Sequence, residues 1–192
     1  MSNFKRKELG NIQLDIHKRI IEQCVKGSRK AQYNLYKLYS KAMYNICFMM
    51  MNNREEAEDI LQDSFIDAFT QLSSFKFDST FGAWLKKIVI NKCINAHKKK
   101  KADIVYFENL NYFEIKDEEI NFNDIELSIQ KIKKAMKNLP NGGRMIFSLY
   151  LLEGYDHAEI AQILNITEST SKTQYMRAKN RIKELIITNK KK

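Results

Sequence analysis

Between Leu139 and Ile187 apolar residues recur at helical spacing in two short runs separated by a single asparagine. That pattern restricts the segment to two helices crossing at a tight turn, a helix-turn-helix. Ala158, Ile160, Ala161, Ile163 and Leu164 mark the first helix, and Asp156 followed by Glu159 predicts a capping box at its start. Asn165 is placed to take the positive φ that such a turn requires. Thr167 is placed to accept from a free backbone N–H and begin the second helix. There Ser171, Tyr175, Ala178, Ile182 and Leu185 form an inward stripe, while Lys172, Thr173, Gln174, Arg177, Lys179 and Arg181 project elsewhere. The outer set mixes cations with side chains able to read base edges, which suits the major groove of DNA.

Charge supports the same direction. The chain of 192 residues carries a formal net charge of +10, which favours a polyanionic partner, nucleic acid first and acidic membranes second. No apolar run approaches the roughly 20 residues needed to span a bilayer, so membrane insertion is not expected. The polar, charged stretch Met1 to Gly10 carries no secretory signal, and a cytoplasmic location is expected. One proline and six glycines among abundant Lys, Glu, Ile, Leu and Ala favour helix over sheet. Cys24, Cys47 and Cys93 are odd in number and far apart, against a disulfide framework. Cys93 and His97 stand four apart on a predicted helix, but two ligands do not make a metal site; a buried thiol and a partly exposed histidine are expected instead. No cofactor is expected.

The predicted organisation is all-α: two small helical domains joined by a flexible acidic linker, with boundaries at 14–101, 102–130 and 131–188. In the first block, Ile20, Ile21, Cys24 and Val25 make a short amphipathic stretch. A second begins at Tyr33 and ends in Met49-Met50-Met51, read as core filler. Glu55 to Leu72 is the clearest helix. Ala57, Ile60, Leu61, Ser64, Phe65, Ala68, Phe69 and Leu72 share a buried face. The opposite face carries Asp59, Gln62, Asp63, Ile66 and Asp67. This is either a solvated surface or, because Ile66 would stand in water among polar groups, a protein-binding one. After a loop from Ser73 to Thr80 holding Phe75 and Phe77, a helix is predicted from Phe81 to Lys101. Phe81, Trp84, Leu85, Ile88, Val89 and Ile94 lie on one side; Lys86, Lys87, Asn91, Lys92, Asn95 and Lys98 to Lys101 lie elsewhere. Aromatics beside a basic helix suit melted nucleic acid, although core packing is the expected role of Trp84. Acidic residues dominate Ala102 to Gln130, where Lys116 is the one cation after Asp103. Leu139-Pro140-Asn141-Gly142-Gly143 is expected to break the chain before a helix from Arg144 to Leu152.

Two stretches of the first block, Glu56-Ala57-Glu58-Asp59-Ile60-Leu61-Gln62-Asp63-Ser64-Phe65 and Phe81-Gly82-Ala83-Trp84-Leu85-Lys86-Lys87-Ile88-Val89-Ile90-Asn91, closely resemble the second conserved region of bacterial RNA polymerase sigma factors. Leu139-Pro140 through Glu153-Gly154-Tyr155, Glu159-Ile160-Ala161 and Thr170-Ser171-Lys172 to Arg177-Ala178 resembles their fourth region. The interval leaves no room for a third domain, so the chain is most similar to the small extracytoplasmic-function group of the sigma-70 family. The resemblance spans about Gly27 to Ile187. It implies a non-enzymatic factor that binds core RNA polymerase, directs it to specific promoters and assists promoter opening. It implies that Asp59, Gln62, Asp63 and Ile66 dock on the polymerase. It further implies that Asn91, Lys92, Asn95 and Lys98 engage the minus-ten element, with the 73–80 loop shaping a pocket for an unstacked base. Ser169, Thr170, Lys172, Thr173, Gln174 and Arg177 are the residues expected to read the minus-thirty-five duplex. Many relatives are held inactive by an anti-sigma protein, which makes such a protein a candidate partner.

Three other readings compete. A dimeric helix-turn-helix regulator would not need an acidic-apolar helix followed by an aromatic-basic one. A sigma-like accessory factor that has lost promoter opening fits the same residues. An enzyme is the weakest alternative, because the chain has no phosphate-cradling glycine loop and its histidines (His17, His97, His157) are scattered.

Overall fold

The computed structural model describes residues 17–99 and 125–188, and all regular structure among them is helical. Residues 17–25 form α1, followed by α2 (Arg29–Met51), α3 (Arg54–Thr70), a 3-10 turn (Leu72–Ser74) and α4 (Phe81–Lys99). Then come α5 (Ile125–Met136), α6 (Asn141–Phe147), a π turn (Ser148–Leu152), α7 (His157–Leu164) and α8 (Glu168–Thr188). The chain divides into two compact units. One comprises Met1–Phe48 with Asn53–Cys93, the other Met49–Asn52 with Ile94–Lys192. Most of the expected linker, residues 102–124, lies outside the described residues, and its last residues are already helical from Ile125.

In the first unit, α2 is one helix of 23 residues that takes in the whole stretch expected from Tyr33 and begins four residues earlier. Asn53 ends the α2–α3 turn by accepting from the Glu56 amide at 3.1 Å, a side-chain cap that offsets an orphan helix donor. The inward face of α3 is as its spacing predicts: Ala57, Ile60, Leu61, Ser64, Phe65 and Ala68 are buried, with Phe69 half-buried. Ser64 satisfies its buried hydroxyl by donating to the Ile60 carbonyl at 2.6 Å. Edge-on ring contacts tie the elements together, Tyr36 to Phe65 at 4.8 Å and Tyr39 to Phe81 at 5.1 Å. Gly82 admits this approach: a Cβ there would stand 2.8 Å from Tyr39 Cε1. Thr80 caps α4 by accepting from the Ala83 amide at 3.2 Å.

The second unit is built around Ala135, Met136, Leu139, Phe147, Ala178 and Ile182. The caps and the turn of its helix-turn-helix match expectation. Asp156 and Glu159 form a reciprocal capping box with both bonds at 2.8 Å. Asn165 sits in the left-handed region at φ 55°, ψ 50°. Thr167 accepts from the Thr170 amide at 3.0 Å.

Two expectations need correction. The helix placed at Arg144 begins at Asn141, and its continuation Ser148–Leu152 is a π turn. Pro140 stands before the first turn, where its missing N–H costs nothing, and Gly142 and Gly143 are buried. Packing there outweighs the penalty of about 1 kcal/mol that each helical glycine carries. His97 is also buried, at 4% exposure, with Nε2 3.2 Å from the Met50 carbonyl. Cys24, Cys47 and Cys93 are buried free thiols.

Candidate functional site

Three helix faces carry the residues singled out by the sequence. On α3, Asp59, Gln62 and Asp63 are exposed and Ile66 is 61% exposed. Spacings of three and four place them in one stripe opposite the buried face. Asp67, the fifth member of the expected stripe, is turned aside: its Oδ2 lies 2.7 Å from Lys92 Nζ on α4. Next to this stripe a groove of about 650 Å³ is lined by Tyr36, Lys41, Tyr44, Phe48, Glu58 and Gln62, among others. An exposed isoleucine ringed by carboxylates and an amide has the anatomy of a small docking patch, apolar in the centre and polar at the rim.

On α4, Asn91, Asn95 and Lys98 are exposed and lie at i, i+4 and i+7. The structure groups these three but not Lys92. That side chain is about 100° around the helix from Asn91 and is held by Asp67. Lys87, one turn before Asn91 and also exposed, extends the same face and was not among the candidates. The loop before α4 is organised by aromatics. Phe75 is buried, and its ring lies 4.8 Å from Phe77, 5.2 Å from Trp84 and 6.0 Å from Phe81. Trp84 is half-buried within that cluster, consistent with packing. Phe77 takes φ 59°, a left-handed conformation that a bulky residue adopts only when its surroundings enforce it. Lys18 Nζ lies 5.8 Å from the Phe77 centroid.

On α8 the candidates separate into four groups. Ser169, Lys172 and Thr173 lie on the outward face, with Thr173 half-buried, and Lys172 is paired to Glu168 at 2.6 Å. Thr170 is half-buried and bonded to the Thr167 hydroxyl at 2.7 Å, so it contributes to the cap. Arg177 is half-buried at the edge of the face. Gln174 departs from expectation: at 6% exposure it is buried, because it falls within the stripe of Ser171, Ala178 and Ile182 and not opposite it. Met176, 44% exposed, occupies the centre of the outward face beside Thr173. It was missed because methionine reads as core by composition, although its offset of seven from Ser169 marks the face. An apolar side chain there is suited to a thymine methyl group.

Among the described residues no three His, Cys, Asp or Glu side chains gather as metal ligands. The three faces are an acidic-apolar stripe on α3, a polar-cationic stripe on α4 and a mixed polar, cationic and apolar face on α8.

Residues 35–102 match the family described as Sigma-70 region 2, and residues 129–182 match Sigma-70, region 4. The chain is 30% identical over 177 residues to the ECF RNA polymerase sigma factor SigW of Bacillus subtilis, covering 87% of this chain and 95% of that protein. It is 26% identical over 163 residues to the ECF RNA polymerase sigma factor SigM of Mycobacterium tuberculosis, covering 84% and 80%. A solved structure of the sigma factor RpoE in complex with the anti-sigma factor NepR from Bartonella quintana is 23% identical, with a TM-score of 0.49, covering 80% of this chain and 95% of that one.

Proposed function

We infer the roles of the three faces from the fact that the chain belongs to the extracytoplasmic-function group of the sigma-70 family of RNA polymerase sigma factors. It directs core RNA polymerase to promoters for transcription initiation, and is not itself an enzyme. We propose a division of labour within that function. The α3 stripe Asp59, Gln62, Asp63 and Ile66 docks on core polymerase. The α4 face Lys87, Asn91, Asn95 and Lys98 holds the opened minus-ten strand. The outward face of α8, with Ser169, Lys172, Thr173 and Met176, reads the minus-thirty-five duplex, with Arg177 at its edge. Lys92 and Thr170 serve these faces from behind, through Asp67 and Thr167. The functional boundaries are 14–101, 102–130 and 131–188, supported by the matches at 35–102 and 129–182. We propose that the protein works in the cytoplasm, with the polymerase and the gene. No described helix is long and apolar enough to cross a membrane.

The observation that carries this reading is the exposed Ile66 between carboxylates on a chain of net charge +10. A surface meant only for polyanions would not keep that combination. Purified core polymerase with this protein is expected to start RNA at a discrete promoter, and core alone is not. The full-length variant Asp63→Lys with Ile66→Ala is expected to lose association with core in size-exclusion chromatography while still binding duplex. Association at wild-type strength would remove the docking assignment.

A further inference from the structure

The helix-turn-helix contains a part-buried polar contact that the capping and apolar patterns do not call for. Ser171 is fully buried on the inward stripe of α8. Its Oγ lies 2.9 Å from Nδ1 of His157, the first residue of α7. The imidazole is held from three sides. It stacks on Tyr150 of the π turn at 4.3 Å and 13° between planes, and meets Tyr175 of α8 edge-on at 5.6 Å and 62°. Tyr150 and Tyr175 in turn touch at 4.5 Å. One ring therefore links the π turn, the start of α7 and the first two turns of α8.

The placement matters because Ser171 lies between Ser169 and the pair Lys172 and Thr173, all on the proposed reading face. A shift of Ser171 along or about the α8 axis carries those side chains with it, and base recognition depends on position at the sub-ångström level. We propose that His157 and Ser171 are a positioning pair: the hydrogen bond between them sets the seating of α8 against α7 and so determines promoter discrimination. This rests on the reading of α8 as the duplex-recognition helix.

The pair works with neutral imidazole, whose Nδ1 accepts from the Ser171 hydroxyl. Burial favours that neutral form first, and the Lys172 ammonium adds to it, against the opposing carboxylates of Glu168 and Asp156. Tyr150 and Tyr175 face the ring, the phenol of Tyr175 pushed up by its own burial and by its neighbour Tyr150. The start of α7 also disfavours a cation there. The histidine therefore titrates below its ordinary range. The contact is fully present above about pH 6.5, the unfolded value, and is lost as pH falls through the folded one. Protonation puts a hydrogen on Nδ1 and takes away the acceptor that the buried serine hydroxyl uses.

The test uses the full chain and a duplex selected by the wild-type protein from a random library. The readout is the ratio of affinities for that duplex and for a scrambled one, which cancels general charge effects. Ser171→Val and His157→Phe are each expected to lower the ratio about five- to tenfold at pH 7.5, the size expected for one lost hydrogen bond. Their helical circular dichroism should stay intact, and the double variant should be no worse than the poorer single one. The wild-type ratio is expected to hold from pH 7.5 to about pH 6.5 and to fall as the pH is lowered further, through the histidine's depressed folded value. His157→Gln keeps an acceptor, cannot titrate, and should hold its ratio flat over that range. Unchanged ratios in both folded single variants, or losses that add, overturn the pair. If a single variant unfolds, a wild-type ratio as flat as that of His157→Gln overturns it instead. Failure of the wild-type chain to select any duplex overturns the underlying reading of α8.

Discussion

Gly82 shows how much one missing methyl can decide. Its Cα packs against the ring of Tyr39, which is itself fixed by the 2.6 Å bond between its hydroxyl and His17 Nδ1 and by edge contact with Phe81. Gly82→Ala gains helix propensity but places a Cβ 2.8 Å from a ring that has little room to retreat. Overpacking of this kind typically costs about 1–3 kcal/mol. A lower urea midpoint with unchanged slope is the expected outcome; a midpoint at or above wild type would show that Tyr39 yields freely. The sequence marks Gly82 only as a glycine in a helix and does not show what approaches it. Asn165 is the opposite case. A tight turn needs a positive φ, asparagine is the residue offered, and the structure uses it so. Gln174 shows where residue-level reading fails. Its chemistry suits base recognition, yet its angular position relative to Ser171 and Ala178 places it inside.

At the scale of elements, α7 is short and depends on its ends. Eight residues are too few for a helix to persist without caps and tertiary contacts. Asp156→Ala removes one arm of the capping box and is expected to cost about 1 kcal/mol, seen as a lower thermal midpoint of the full chain. An unchanged midpoint would make the cap decorative. On α8, positions with outward access should divide by what they touch. Thr173→Ala should reduce discrimination at one base pair with little change in salt dependence. Lys179→Ala should weaken selected and scrambled duplexes alike and flatten the slope of log affinity against log salt by about 0.9. Equal salt slopes for the two variants would contradict the assignment of faces. The capped helices α3 and α7 could be placed from sequence because their signals are local: apolar period, cap residue and turn residue. The start of α6 could not, because buried glycines continue a helix only where packing supplies the missing stability.

For the molecule as a whole, charge of opposite sign is kept on different surfaces. The α3 stripe is acidic and apolar, whereas the exposed α4 positions to which we assign strand capture are amide and cationic. The Lys92–Asp67 contact links the backs of these two surfaces within the first unit. It follows that docking and strand capture should be separable by mutation. The triple variant Asn91→Ala, Asn95→Ala, Lys98→Ala is expected to bind core polymerase and to select the same duplex as wild type. It should nonetheless fail to open the promoter, read as loss of permanganate-reactive thymines in the minus-ten region. Wild-type reactivity would show that strand capture lies elsewhere.

By itself, the order of residues determined the buried face of α3, the capping box of α7 and the cap at Thr167, the turn at Asn165, the acidic-apolar stripe and the family. Each of these follows from spacing along one helix or from a short motif, so neighbours in sequence carry the information. Only the tertiary structure decided that Asp67 holds Lys92 and that Ser171 meets His157. Those outcomes depend on which side of a helix another element covers, a relation set by the joint packing of distant segments.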